Sequence, residues 1–336
     1  MSSARPLDVV GEAGDAVTCP AGGAGARFAV GIDLGGTKVR GGIAGLDGTV
    51  HQVLTRPTPA EGGRALVARL LALVRELTSA VGSDSAHVVA TVIGGAGVPD
   101  GAGAHFHQAP NLGDLDGFNL AEEVAAELGH PVVLENDVNI AAIGELHAGA
   151  GTEHDSFAFV SVGTGIGVGL ILGRRLWTGA NGGAGEIGYI PMGTDPLDPA
   201  NQRRGPLEEV VAGESIARRV ASRTGEAGLD AAAVFDRAAD GDRTAVASLD
   251  EEAKWLAHAL VAVDAVVDPG LFVLGGGIGT RPELLGPIRR WLHRLGRGEI
   301  QLRISELGAD APIVGAVQLA IDSVPVSLHL PATPSS

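Results

Sequence analysis

Aromatic residues make up only 3% of this 336-residue chain, although its hydrophobic fraction is 45%. A core must therefore be assembled from Ala, Val, Leu and Ile, packed around many of the 52 glycines. Cys19 is the single cysteine, which excludes an intrachain disulfide and a cysteine-built zinc site and fits a reducing cytoplasm. Positive charge is also scarce: 24 Lys and Arg against 40 Asp and Glu leave a net charge of −16, which opposes attraction to nucleic acid or to an anionic membrane. No apolar run reaches the roughly 18 to 20 residues needed to cross a bilayer, and no basic stretch precedes an apolar segment at the N-terminus. An unexported, cytoplasmic protein with neither membrane nor nucleic-acid partner is expected. Residues 1–26 carry no helix or strand period and read as a disordered N-terminal extension, and residues 326–336 as a flexible tail.

What is present is a repeated grammar. FAVGIDLGGTKVRGGIAG, from Phe28, is an apolar run, a glycine turn and a second strand-like run, the pattern of a β-hairpin. Leu66, Leu70, Val74 and Leu77 then recur at helical spacing, and HVVATVIG from His87 returns to a buried strand. A helix over about 119–128, the strand PVVLE and a helix over about 138–148 follow. SFAFVSVGTGIGVGLILG, from Ser156, begins the pattern again roughly 130 residues after the first hairpin. Helices are expected near 207–224, 231–239 and 243–267, then the strand LFVLGGGIG, a short strand near 300–304 and a closing helix over 312–321. We expect an α/β protein of two related domains: 27–137, completed by a C-terminal helix over 311–323, and 138–310.

Three strand ends run into glycine turns, GIDLGGTK at Gly31, VGTGIGVG at Val162 and LGGGIGT at Leu274. Glycine there lets backbone N–H groups approach phosphate oxygens with no side chain between, although a hairpin also uses glycine for steric reasons alone. The first turn, Gly35, Gly36, Thr37 and Lys38, adds a hydroxyl, one of the chain's two lysines, and Asp33 at the strand end, a candidate to hold Mg²⁺ directly or through water. Asp33 as an ordinary turn cap is the alternative. The spacing is neither that of a Walker A loop nor that of a dinucleotide fingerprint. Asn136 and Asp137 leave a buried strand at the edge where α/β folds bind ligands, and Asp137 can equally be a helix N-cap. Transfer of a phosphoryl group to an alcohol requires a carboxylate to accept the hydroxyl proton, and Asp137 is the candidate. Vicinal hydroxyls are bound by amides and carboxylates, for which Asn111, Asn136, Glu186 and Glu208 are candidates.

These residues resemble the ROK family of sugar kinases and sugar-sensing repressors, within the actin-like (ribonuclease H-like) ATPase superfamily. The resemblance runs from about Phe28 to Ile321. It is carried by GIDLGGTK, PNLGD at Pro110, LENDVNIAAIGE at Leu134, VGTGIGVG, GGAGEIGY at Gly182 and LGGGI, in family order. It implies an actin-like fold with an interdomain cleft, Asp137 as catalytic base, and sugar contacts from Asn111, Asn136, Asp137, Glu186 and Glu208. It also implies ATP bound by Gly163, Thr164, Gly165, Gly167, Gly275, Gly276 and Gly277, and a homodimer or homotetramer. The chain departs from the family at one place. EIGH followed by C-x-C-G-x-x-G-C-x-E is common there and binds zinc, whereas Tyr189 replaces the histidine and Pro199, Asn201 and Pro206 stand at the cysteine positions. Zinc requires nitrogen or sulfur donors in tetrahedral array, so a zinc-free protein is expected. Tyr189 then lies among the substrate-binding positions.

The expected reaction is ATP- and Mg²⁺-dependent phosphorylation of a hexose at a primary hydroxyl, glucose to glucose 6-phosphate foremost. A kinase for a modified sugar, such as an amino sugar or a cyclitol of secondary metabolism, is the second reading. A sugar-sensing regulator is disfavoured by the acidic charge and a leader without a helix-turn-helix pattern. A scaffold with an idle site is disfavoured by the complete set of catalytic groups.

Overall fold

The computed structural model describes residues 26–99, 106–107 and 119–324. The expectations placed on residues 1–25, on PNLGD with Asn111, and on the tail 326–336 lie outside the described residues. The chain divides into two compact units, one of residues 1–148 with 310–336 and one of 149–309.

In the first unit, β1 (Phe28–Leu34), β2 (Lys38–Gly45) and β3 (Val50–Pro57) form an antiparallel meander, and β4 (Val88–Gly95) and β7 (Val132–Asn136) add in parallel to the other side of β1. The sheet order is β3-β2-β1-β4-β7, with the two-residue strands β5 (Val98–Pro99) and β6 (Phe106–His107) paired apart from it. Helix α1 (Gly63–Ala80) buries Leu66, Leu70, Val74 and Leu77, the stripe that the spacing predicts. Asn119 caps α2 (Leu120–Leu128) by accepting the Glu122 N–H at 3.0 Å, and Gly129, at φ 75°, ends it. The strand β3 is missing from the sequence reading. Its residues VHQVLTRP are mostly half-buried or exposed at the sheet edge, so they lack a strong apolar signal.

Where the sequence reading ends the first domain at Asp137, the units divide after Ala148. Helix α3 (Asp137–Ala148) packs on the C-terminal helix, Ala311–Asp322, which also lies on β1, β2 and β4. The crossing is nearly backbone to backbone: a Cβ on Gly315 would sit 1.7 Å from the Ile140 carbonyl oxygen, and one on Gly144 2.2 Å from that of Ala311. Such a contact between segments some 170 residues apart in sequence leaves no local trace.

The second unit repeats the plan. An antiparallel meander, β8 (Phe157–Val162), β9 (Ile166–Leu172) and β10 (Arg175–Trp177), is extended in parallel by β11 (Phe272–Gly275) and β12 (Leu302–Ile304), in the order β10-β9-β8-β11-β12. The helix expected near 207–224 is broken. After the turn α4 (Pro199–Gln202), α5 (Glu208–Val211) stops at the extended Ala212, ψ 148°, and α6 (Gly213–Thr224) begins anew. The break lets the Gly213 N–H donate to the Gly163 carbonyl at 2.8 Å, which ties α6 to the β8–β9 turn. Helices α7 (Ala231–Ala239) and α8 (Arg243–Val267) start at Asp230 and Asp242, each capping through its side chain. The turn α9 (Gly276–Gly279) and α10 (Pro282–Arg294) complete the unit. Phe157, Phe159, Phe235 and Phe272, four of the chain's seven phenylalanines, are buried here among Val, Leu and Ile. Among the described residues no helix is long and apolar enough to cross a membrane.

Candidate functional site

In the first unit, strand register brings the acids together. Asp33 of β1 pairs with Gly94 of β4, and Gly94 with Glu135 of β7, so the parallel strands end on one edge, with Asn136 and Asp137 immediately beyond. The Gly35 N–H closes the β1–β2 turn on the Lys38 carbonyl at 3.0 Å. Thr58 braces it, donating from Oγ1 to the Gly35 carbonyl at 2.7 Å and from its N–H to that of Thr37 at 3.1 Å. Gly36, Thr37 and Lys38 are exposed, which leaves them accessible to a ligand, whereas Asp33 is half-buried. Burial first, and then the charge of Asp137, push the Asp33 carboxyl up to about 6, against the opposing pull of Arg40 and Lys38.

The cap of α3 is Asn136 rather than Asp137. Asn136 Oδ1 accepts the N–H groups of Val138 at 2.9 Å and Asn139 at 3.2 Å, while its Nδ2 donates to the Gly97 carbonyl at 3.1 Å. The amide of Asn136 is thus spent largely on the fold. Asp137 Oδ1 accepts the N–H of its neighbour Val138 at 2.9 Å. Burial pushes its carboxyl above the usual range, partly offset by the backbone donors. Glu135, passed over in the sequence reading, also sits above its ordinary value through burial; its Oε1 accepts from Asn139 Nδ2 and from the Asn136 N–H, each at 2.8 Å. The E-N-D-x-N run shows the acid, but its bond to Asn139 forms only because the chain passes there from β7 into α3.

The second unit gathers the other candidates. Gly163, Thr164 and Gly165 form the β8–β9 turn, closed by the Gly163 N–H donating to the Gly165 carbonyl at 2.9 Å, and Gly167 lies in β9 opposite Ser161. Gly275 ends β11 in register with Ser161 of β8, so the turn carrying Gly276 and Gly277 starts beside the one carrying Gly163. A cavity of about 510 Å³ opens next to Gly163 and Thr164 and is lined further by Glu214, Arg218, Asp230 and Ala231. The exposed Glu186 and Tyr189 flank a single 3-10 turn, Ile187–Tyr189. That segment runs beside Glu208: the Leu207 N–H donates to the Gly188 carbonyl at 3.1 Å. Glu208 Oε2 accepts the Ile166 N–H at 3.0 Å, and a Cβ on Gly165 would lie 2.4 Å from that oxygen, so a side chain there would displace the carboxylate from the turn.

Arg204 also escaped the sequence reading. Its guanidinium bonds to Glu208, to Glu214 and to the Thr164 carbonyl. Burial opposes the charge, but the hydrogen bonds to Glu208 and Glu214 outweigh it and hold the group above the ordinary arginine value. The i,i+4 spacing of Arg204 and Glu208 was visible; the reach of 40 residues to Thr164 was not. Around the departure from the family pattern, Tyr189 Oη donates to the Arg203 carbonyl at 3.4 Å and Asn201 Nδ2 to that of Asp195 at 2.9 Å. Pro199 and Pro206 offer no side-chain donor atom. Among the described residues no group of three or more His, Cys, Asp or Glu side chains gathers as a metal-ligand set.

The model of the ROK family matches residues 29–323. A glucokinase of Streptomyces coelicolor is 32% identical over 324 residues, covering 88% of this chain and 98% of the relative. An N-acetylmannosamine kinase of Escherichia coli is 32% identical over 294 residues, covering 86% and 97%. The crystal structure of a ROK family glucokinase from Streptomyces griseus in complex with glucose and AMPPNP is 30% identical with a TM-score of 0.73, over 88% of this chain and all of the other. With both units built on the same strand order and the family pattern running through both, the chain belongs to the ROK family and has the actin-like ATPase fold.

Proposed function

We propose that this chain is an ATP-dependent sugar kinase that phosphorylates the primary hydroxyl of a hexose, glucose to glucose 6-phosphate foremost, with Asp137 as general base. The observation that carries the reading is the pair of carboxylates at the strand edge of the first unit. Asp33 is pushed up to about 6 by burial and by the charge of Asp137, and burial also pushes the Asp137 carboxyl above its usual range, at the strand end next to Asn136. In this mechanism Asp137 accepts the proton of the sugar hydroxyl as its oxygen bonds to the terminal phosphorus of ATP and the bond from that phosphorus to the ADP oxygen breaks. A raised basicity suits it for that proton.

Two neighbouring half-buried carboxylates, the charge of Asp137 raising the pKa of Asp33, favour a cation, and this donor set of oxygens fits Mg²⁺, with Asp33 as the residue to hold it. When bound, the ion neutralises charge on the phosphates. In the second unit, the turns at Gly163–Gly165 and Gly275–Gly277 and the cavity beside Thr164 support nucleotide binding. Glu186 and Glu208 are assigned to acceptor hydroxyls. Zinc has no place in this reading, because a phenol, an amide and two prolines do not form a nitrogen and sulfur ligand set.

Tyr189 favours a second reading, an amino sugar or cyclitol as acceptor. It stands where the family commonly carries a histidine, it is 43% exposed, and its hydroxyl is turned to the Arg203 carbonyl. A cyclitol has no ordinary anomeric centre, so loss of that histidine matters less. Coupled ADP release over glucose, mannose, N-acetylmannosamine and a cyclitol series separates the two. Fastest turnover with glucose is expected; faster release with a cyclitol or amino sugar favours the second, and release that ignores the acceptor sinks both.

A further inference from the structure

Glu208 is gripped from two directions. The Ile166 N–H donates to Oε2 and Arg204 Nε donates to Oε1, each at 3.0 Å. The same guanidinium donates through Nη2 to the Thr164 carbonyl at 2.8 Å and through Nη1 to Glu214. Its three nitrogens thus serve three separate segments: α5, the β8–β9 glycine turn and α6. Thr164 and Glu214 also line the 510 Å³ cavity. By contrast, among the described residues the side chains of Asp198 and Asn201 in the preceding segment bond within that segment, to the Ala200 N–H and to the Asp195 carbonyl.

We propose that Arg204 is a positioning residue that fixes Glu208 on the glycine turn and so sets the affinity for the acceptor. The inference rests on the sugar-kinase reading, in which Glu208 meets acceptor hydroxyls. A glutamate with free torsions must be ordered on each binding event, and one already clamped at both oxygens is not. The planar fork of arginine can serve three acceptors in fixed directions; lysine, with the same charge at a point, cannot. In this chain a guanidinium holds the loop that ends in Glu208, the segment in which the family pattern carries its zinc ligands.

The test is the kinetics of Arg204→Lys at saturating ATP, beside its thermal unfolding. Acceptor KM is expected to rise about tenfold, as for one lost hydrogen bond to a charged group, while kcat stays within about threefold. Glu214→Gln, which weakens one arm of the clamp, is expected to raise acceptor KM about threefold and supplies the test if the lysine variant does not fold. An active wild type beside Arg204→Lys with unchanged acceptor KM overturns this inference alone, whatever the change in melting temperature. The same holds for an unchanged KM in Glu214→Gln should that be the variant that folds. A wild type that phosphorylates no sugar overturns the kinase reading, and this inference with it.

Discussion

At the register where β1 carries Asp33 beside Gly94 of β4, β8 carries Ser161 beside Gly275 of β11. The two units have the same strand order and the same turn after the first strand, yet the first turn adjoins the neighbouring carboxylates of Asp33 and Asp137, both with raised pKa values. The turn of the second unit adjoins Glu208, whose charge is met by Arg204 and by the Ile166 N–H. A glycine turn beside a neutralised carboxylate suits a phosphate, whereas paired acids suit a cation or a hydroxyl that must lose its proton. One backbone plan has thus been given opposite electrostatics, and the division of labour follows from side chains rather than from fold.

The sharpest way to break this comparison is Asp137→Asn. We expect kcat to fall by roughly 10² to 10⁴ with nucleotide and acceptor binding retained by calorimetric titration; undiminished turnover would remove the acid from the mechanism. Asp33→Asn tests the cost of clustering. Because the folded carboxyl titrates at about 6 against an ordinary 3.8, its contribution to stability is fully present below about pH 3.8 and is lost as pH rises through about 6. The variant should therefore be more stable than wild type at pH 7.5, by up to about 3 kcal/mol, and no more stable near pH 3.5. Denaturant midpoints at the two pH values check this, and equal differences at both would contradict it.

In the second unit, Gly165→Ala pushes a methyl group into Glu208 and should raise acceptor KM about tenfold with nucleotide KM little changed. A rise confined to nucleotide KM would reverse the roles given to the turn and the carboxylate. The smallest effect expected is none: dialysis against a zinc chelator, followed by restored Mg²⁺, should leave acceptor KM where it was. A loss recovered only by zinc would show a ligand set that the chemistry of Tyr189, Pro199, Asn201 and Pro206 does not provide.

Both glycine turns, Asp33 at the strand end before the first of them and the buried helix faces were legible in the sequence because each depends on neighbours within a few positions. Hydrophobic period finds α1 and α8, and the end of a strand locates Asp33. Other features depend on partners far along the chain. Helix α3 joins the first unit through Gly144 and Gly315, and the break at Ala212 follows from a bond to Gly163. Asp137 as an N-cap is one of two readings of the sequence; both residue types cap helices, and the side-chain bonds to the Val138 and Asn139 N–H groups give that role to Asn136. Arg204 carries no such signal for its bonds to Thr164 and Glu214, which meet it only after folding.

The most direct test of the central claim is ³¹P NMR of ATP and glucose mixed with Mg²⁺ and the protein, run beside Asp137→Asn. The account predicts that the γ-phosphorus signal is converted into a sugar phosphate monoester in equal amount with ADP, and that the variant leaves it intact on the same timescale. ADP accompanied by inorganic phosphate, or a monoester formed equally fast by the variant, would contradict it.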